Sequence, residues 1–335
     1  MTQIARRRIL AGVAAGLLTA SLGVAGTAGA ATAATGKSIR LCTLRPLAYP
    51  ADSYRASADA IDPTGRYIAG SGLRTTGGVN QPLLLVWDGG RLTTIESSIA
   101  DTVVDVNSSG VVVGNGWENS IGRPWRYHAG RVEFLPVVPS DGIWVTGING
   151  AGDIVGYGTS TTTSESFPLR WPAARPGTVE VLDAPSTGQT DGITEDGTIV
   201  GTAGSFTTPT GWVRTPTGEV RELTVPGARS ARVLGAGGRY AIGWVDLGGP
   251  NTVNVRWDHT SGASAGLDPR FDWLTDVNRH GVVVGSNRIS RGASSVVLPG
   301  GGTGVSVGAN AISDNGIVVG FHRGTRISPV RWTGC

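Results

Sequence analysis

Lysine occurs once in the 335 residues, at Lys37, cysteine twice, and methionine only at position 1. The formal charge of +3 comes from a local excess: Arg6, Arg7 and Arg8 lie within the first thirty residues, and the rest holds 25 basic and 25 acidic side chains. A sequence-independent nucleic-acid binder wants a clear positive excess, so no nucleic-acid partner is expected. Beyond residue 30 no apolar run approaches the roughly 20 residues a membrane helix needs, which argues against a membrane anchor. Cys42 and Cys335 lack the C-x-x-C spacing of a redox pair. The four histidines show no metal-ligand spacing, so no metal and no cofactor is expected. No segment after residue 30 carries a helical apolar stripe.

The first thirty residues read as an export signal. Arg6-Arg7-Arg8 is the charged start, residues 9–26 are apolar or small, and Ala28-Gly29-Ala30 supplies an A-x-A cleavage site. The arginines partly match a twin-arginine signal, so Sec and twin-arginine export both stand. Residues 31–37 read as a flexible leader, and 38–335 as one secreted, monomeric domain.

One pattern fills that domain seven times. An apolar residue and Asn, Asp, Thr or Ser precede a turn ending in Gly; an apolar triplet ending in Gly follows, and then a Trp. Val106-Asn107…Gly110-Val111-Val112-Val113-Gly114 is a clear copy, and Ile148-Asn149…Gly152-Asp153-Ile154-Val155-Gly156 another. The closing glycines fall at 70, 114, 156, 201, 243, 285 and 320, a period near 42. Periods of this size mark repeat architectures. Each unit holds four short strand candidates; in unit two they cover 102–106, 111–115, 124–127 and 131–135. Four strands per unit, seven times over, predict an all-β, seven-bladed β-propeller whose sheets stack on one another.

A Trp recurs in the third strand as Trp87, Trp125, Trp171, Trp257 and Trp332, with Arg214 and Leu298 at that place in units four and six. These side chains are expected to pack between sheets. Unit seven ends before a fourth strand, while 38–44 has no unit of its own. Pairing 38–44 with 329–332 would close the ring and bring Cys42 to Cys335 for a disulfide.

The Ile-Asn, the Gly-x-Val-Val-Gly and the Trp of units two and three resemble the extracellular HAF repeat family. The resemblance covers nearly all of 55–335, although units four, five and six depart at the Asn or Trp position. It implies a repeat fold and no catalytic residues.

In an antiparallel four-stranded unit the first and third turns share one end and the second turn lies at the other. The first turns here are uniform, whereas the second turns differ: 71–81, 115–123, 157–167, 202–210, 244–252, 286–292 and 321–328. Variable loops on a rigid scaffold are where function concentrates. Arg288, Arg291, His322, Arg323, Arg326 and Arg74 fall on neighbouring units six, seven and one. Glu118, Glu165 and Asp246 lie on units two, three and five, beside Trp117, Tyr157 and Trp244. The arginines are candidates for holding anionic groups and the aromatics for flat apolar contact; ordinary solvated loop charge is the alternative.

Signals of catalysis are thin. Gly304-Val305-Ser306-Val307-Gly308 matches a nucleophile elbow only as a string, because no helix follows the Ser. The Asn-x-x-Gly turns lack the carboxylate density of a calcium site. Glu118 and Asp246 would serve a glycosidase only at the right separation. The expected role is a secreted binding module for a glycan or protein on the second-turn face. A secreted hydrolase or lyase and a purely structural surface protein are the alternatives.

Overall fold

The computed structural model describes residues 42–335, apart from 161, 164, 186, 206 and 249–251. The expected signal (1–30), the leader (31–37) and the first part of the closing strand (38–41) lie outside the described residues. Among the described residues the secondary structure is all strand, and no helix is long and apolar enough to cross a membrane.

Units two to six each form a four-stranded antiparallel sheet with its strands in chain order. Unit two is Thr102–Val106, Val112–Glu118, Ile121–His128 and Arg131–Phe134. Its middle strands run further than the sequence pattern predicts, because Asn119 and Ser120 both take positive φ (51° and 65°) in a two-residue hairpin turn. Gly77 and Gly78 do the same between Tyr67–Thr76 and Val79–Asp88 in unit one. Much of what reads as variable loop is therefore projecting hairpin.

Units seven and one share a nine-stranded sheet. Unit seven contributes Ser306–Ile312, Val318–Arg323 and Ile327–Thr333. The N-terminal strand Thr43–Pro46 lies antiparallel on the last of these, with Leu44 opposite Trp332. Cys42 and Cys335 are disulfide-bonded, 293 residues apart in sequence. A cross-link closing so long a loop stabilises by at most about 5 to 6 kcal/mol in the chain-entropy model.

The first strand of five units carries a bulge. The extra residue is Val104, Thr146, Asp191, Leu234 or Asn310 in units two, three, four, five and seven. The closing glycine pairs with the residue just before the bulge. At Gly201 a Cβ would strike both the Gln189 carbonyl and the Trp212 ring, and at Gly156 it would strike the Trp144 carbonyl. The bulge pushes that carbonyl inward, so the apolar triplet has to end in glycine.

The Asn of the first turn has an equally local cause. Asn107 Oδ1 accepts the N–H groups of Ser109 (3.1 Å) and Val111 (3.0 Å), while its Nδ2 donates to the Asn149 carbonyl of the next unit (3.0 Å). Asn278 repeats the arrangement and reaches the Ser313 carbonyl.

The core lies between sheets. Among the described residues there are seven buried clusters, one between each unit and the next and one between units seven and one. Trp87, Trp171, Trp257 and Trp332 each donate their indole N–H to a carbonyl of the chain arriving from the preceding sheet: Ala48, Pro136, Thr224 and Pro299. Unit four corrects the sequence reading. Its tryptophan is Trp212, two residues before Arg214 and on the same strand face, fully buried over Gly201. Unit six lacks a Trp; its third strand, Arg288–Arg291, buries Ile289, and Leu298 follows the fourth strand, Ser294–Val297.

Candidate functional site

Most of the basic side chains expected to hold an anion on the second-turn face are already engaged. Arg74 sits in a strand, donates to Gln81 (3.0 Å) and pairs with Asp52 and Glu96. Arg288 donates to Ser295 (3.1 Å) and Arg326 to the Ala51 carbonyl (3.5 Å). Arg291 is a correction: residues 288–291 form a strand, which carries Arg291 to the opposite end of the sheet, where it donates to the Cys335 carbonyl. His322 lies within Val318–Arg323.

Glu118 pairs with Arg123 at 2.5 Å, Asp246 accepts the Gly248 N–H at 2.6 Å, and Glu165 opens the third strand of unit three, exposed. Glu118 and Asp246 belong to sheets separated by two others, so the fold does not assemble them as a carboxylate pair. Trp117 is 57 % exposed at a hairpin end. Tyr157 and Trp244 are half-buried and follow the closing glycine of units three and five, a place filled by Phe321 in unit seven.

What the second-turn face does contain is a groove. A cavity of about 360 Å³ between units six and seven is lined by Asp272, Trp273, Asn287, Asn310, Phe321 and Arg323. A second, of about 430 Å³, is lined by Arg55, Asp59, Ser71, Asp101, Thr102 and again Asn310. Asn310 is the bulge residue of unit seven, and its Nδ2 donates to the Ala58 carbonyl of unit one (3.0 Å), so the two cavities adjoin at this side chain.

Trp273 is 60 % exposed. Arg323 lies over the Phe321 ring, 5.6 Å from its centroid. Among the described residues, the side chains of Arg55, Asp101, Asp272 and Arg323 make no hydrogen bond or ion pair, although the Arg55 charge helps hold down the pKa of Asp59. Sequence reasoning found Arg323 but missed Trp273, Arg55 and Asp101. They stand in or next to the links between units, outside the repeated motif.

Asp59, in the groove, accepts hydroxyl bonds from Ser57 (2.5 Å) and Ser71 (2.7 Å), and burial raises its pKa above the ordinary value. Asp191 is held similarly in unit four, by the Gln189 amide (2.8 Å) and the Thr202 hydroxyl (2.6 Å), and burial pushes it up to about 6. An arrangement repeated away from the groove belongs to the architecture of the unit rather than to chemistry.

A cavity of about 310 Å³ opens on the first-turn face, among Asp105, Glu195, Asp196, Arg239, Asp276 and Asp314. Its charged groups are occupied. Asp105 and Asp276 accept the Ile148 (3.0 Å) and Ile312 (2.8 Å) N–H groups of the next units, and burial pushes both up to about 7 despite these bonds. Glu195 accepts the Gly150 N–H, Asp196 the Thr198 N–H and Asp314 the Arg279 N–H, while Arg239 pairs with Asp258. These contacts hold turns and neighbouring units together. Among the described residues no group of three or more His, Cys, Asp and Glu is placed to hold a metal ion. Ser306 opens a strand, not a helix.

No protein-family model matches the chain, and no curated protein does. Among solved structures, it is similar to the β-propeller domain of the Trilobed protease from Pyrococcus furiosus. That match has a TM-score of 0.62 at 10 % identity over 84 % of this chain and 96 % of that one. The chain is a β-propeller. It is also similar to a streptogramin B lyase, with TM-score 0.56 and 15 % identity over 87 % of this propeller and 97 % of that chain. A prolyl endopeptidase gives 0.57 and 13 % identity over 83 % of this propeller but 50 % of that chain. Identities this low carry the fold and nothing more.

Proposed function

We propose that the chain is an exported seven-bladed propeller of the HAF repeat type that works as a glycan-binding module, with its ligand in the groove of the second-turn face. The blade count rests on seven repeats and seven inter-unit clusters. In this reading Thr43–Pro46 is the fourth strand of the last blade. The Trp87 bond to Ala48 supports it, since the equivalent tryptophans bond to the chain leaving the fourth strand of the preceding blade. Export is supported by the disulfide, a bond that persists in oxidising compartments.

The observation that carries the binding role is the exposed Trp273 beside Asp272 and Arg323, with Arg55 and Asp101 in the adjoining cavity. A sugar ring offers an apolar C–H face to an indole and hydroxyls to planar charged groups, and this groove supplies both. A protein partner is a weaker match, because the polar groups are spread over two adjoining cavities. Binding of the oxidised full-length chain to a glycan array, repeated with Trp273→Ala and Arg323→Ala, tests the reading. We expect affinity to fall at least tenfold in each variant; glycan binding that both variants leave unchanged would show the site to be elsewhere.

A further inference from the structure

On the side of unit two, the second cavity is bounded by the link residue Asp101. The link that holds this residue packs on unit two so closely that a Cβ at Gly116 would collide with the Ile99 carbonyl, and the next residue is the exposed Trp117. Thr102, in the groove wall, pairs across the sheet with Asn115 of the same strand. From Trp117 an apolar ledge runs on. Ile121 is 45 % exposed at the hairpin end. Gly122, opposite Trp117, leaves the space into which the Trp144 ring of unit three settles, 2.8 Å from where a Cβ would be. Trp144 in turn stacks on Tyr157, with centroids 5.7 Å apart and ring planes at 24°.

We infer that this ledge on units two and three is a second, stacking subsite, so that the ligand is a linear polysaccharide long enough to lie in the groove and continue over Trp117. The inference rests on the glycan-binding role proposed for the groove and specifies the ligand. Aromatic side chains without a charged partner favour the flat face of a neutral sugar ring. The Glu118–Arg123 pair beside them leaves no net charge to select an acidic one. Linking two subsites through one chain raises affinity without changing either contact.

The test is a titration of the full-length oxidised chain with cello- and chito-oligosaccharides from dimer to hexamer, on wild type, Trp117→Ala, Trp117→Phe and Trp273→Ala. One lost stacking contact corresponds to about a tenfold change in affinity. We expect the hexamer to bind more tightly than the dimer, Trp117→Ala to remove that gain about tenfold while leaving the dimer unchanged, and Trp117→Phe to restore most of it. Trp273→Ala should weaken every length. Equal affinity across lengths, or a gain that survives Trp117→Ala, overturns the ledge alone. Failure of every length to bind wild type overturns the groove and the ledge together.

Discussion

The two faces of this propeller hold similar inventories of charged side chains and use them differently. On the first-turn face, Asp105, Glu195, Asp196, Asp276 and Asp314 all accept backbone N–H groups, several from the neighbouring unit. On the second-turn face, the side chains of Arg55, Asp101, Asp272 and Arg323 face a groove and make no hydrogen bond or ion pair among the described residues. A buried carboxylate that satisfies backbone donors is constrained by stability. A free one beside an exposed indole costs the fold little to change. Repeated contacts and unengaged charge therefore separate by face, and the uniform turns are the ones the architecture cannot vary.

The largest expected effect lies in neither face but in what both stand on. Trp87→Ala should cost about 3 to 5 kcal/mol by chemical denaturation, since it empties an inter-unit cluster and removes the bond to Ala48. Removing the disulfide with Cys42→Ser and Cys335→Ser together should cost about 2 to 5 kcal/mol. If the loss proves negligible, the N-terminal strand holds its place by pairing alone.

The contrast between faces is sharpened by a matched pair. Asn107→Ala should lower stability by about 1 to 3 kcal/mol, because it strands the Ser109 and Val111 N–H groups and the Asn149 carbonyl, and should leave glycan binding untouched. Trp273→Ala should do the reverse, changing stability by no more than about 0.5 kcal/mol while weakening binding. A Trp273 variant that melts early, or an Asn107 variant that loses its ligand, would break the division.

A separate effect is in pH. Asp105 and Asp276 titrate near 7 when folded and near 3.8 otherwise, so the folded chain binds more protons between these values. Stability should therefore fall as pH rises from about 4 to about 7 and level off above that. Thermal melts across this window should show the slope in the wild type and a flatter profile in an Asp105→Asn, Asp276→Asn chain, which starts from lower stability.

The sequence discloses what repeats. The Asn-x-x-Gly turns, the closing glycines and the unmatched N-terminal strand with its cysteine are all visible because each has a counterpart or a missing partner. It hides what depends on geometry between strands. Trp212 escaped the pattern because two positions on one strand face fill the same space. Arg74 and Arg291 read as loop residues, since two-residue turns such as Gly77-Gly78 and Ser286-Asn287 convert loops into hairpins. Trp273 and Asp101 sit in links, where no periodicity draws the eye, and only the neighbouring sheets give them a shared groove.

The pairing of Thr43–Pro46 with Ile327–Thr333 has a consequence for assembly. The first described strand to leave the ribosome is among the last to find its place, because its partner is synthesised almost 290 residues later. Until then the chain carries two open edges, one at each end, with complementary hydrogen-bonding rows. Edges that fit within one molecule fit equally well between two. At high concentration the same contact becomes an invitation to strand exchange, and the route from ring to chain of rings is a single unpaired strand.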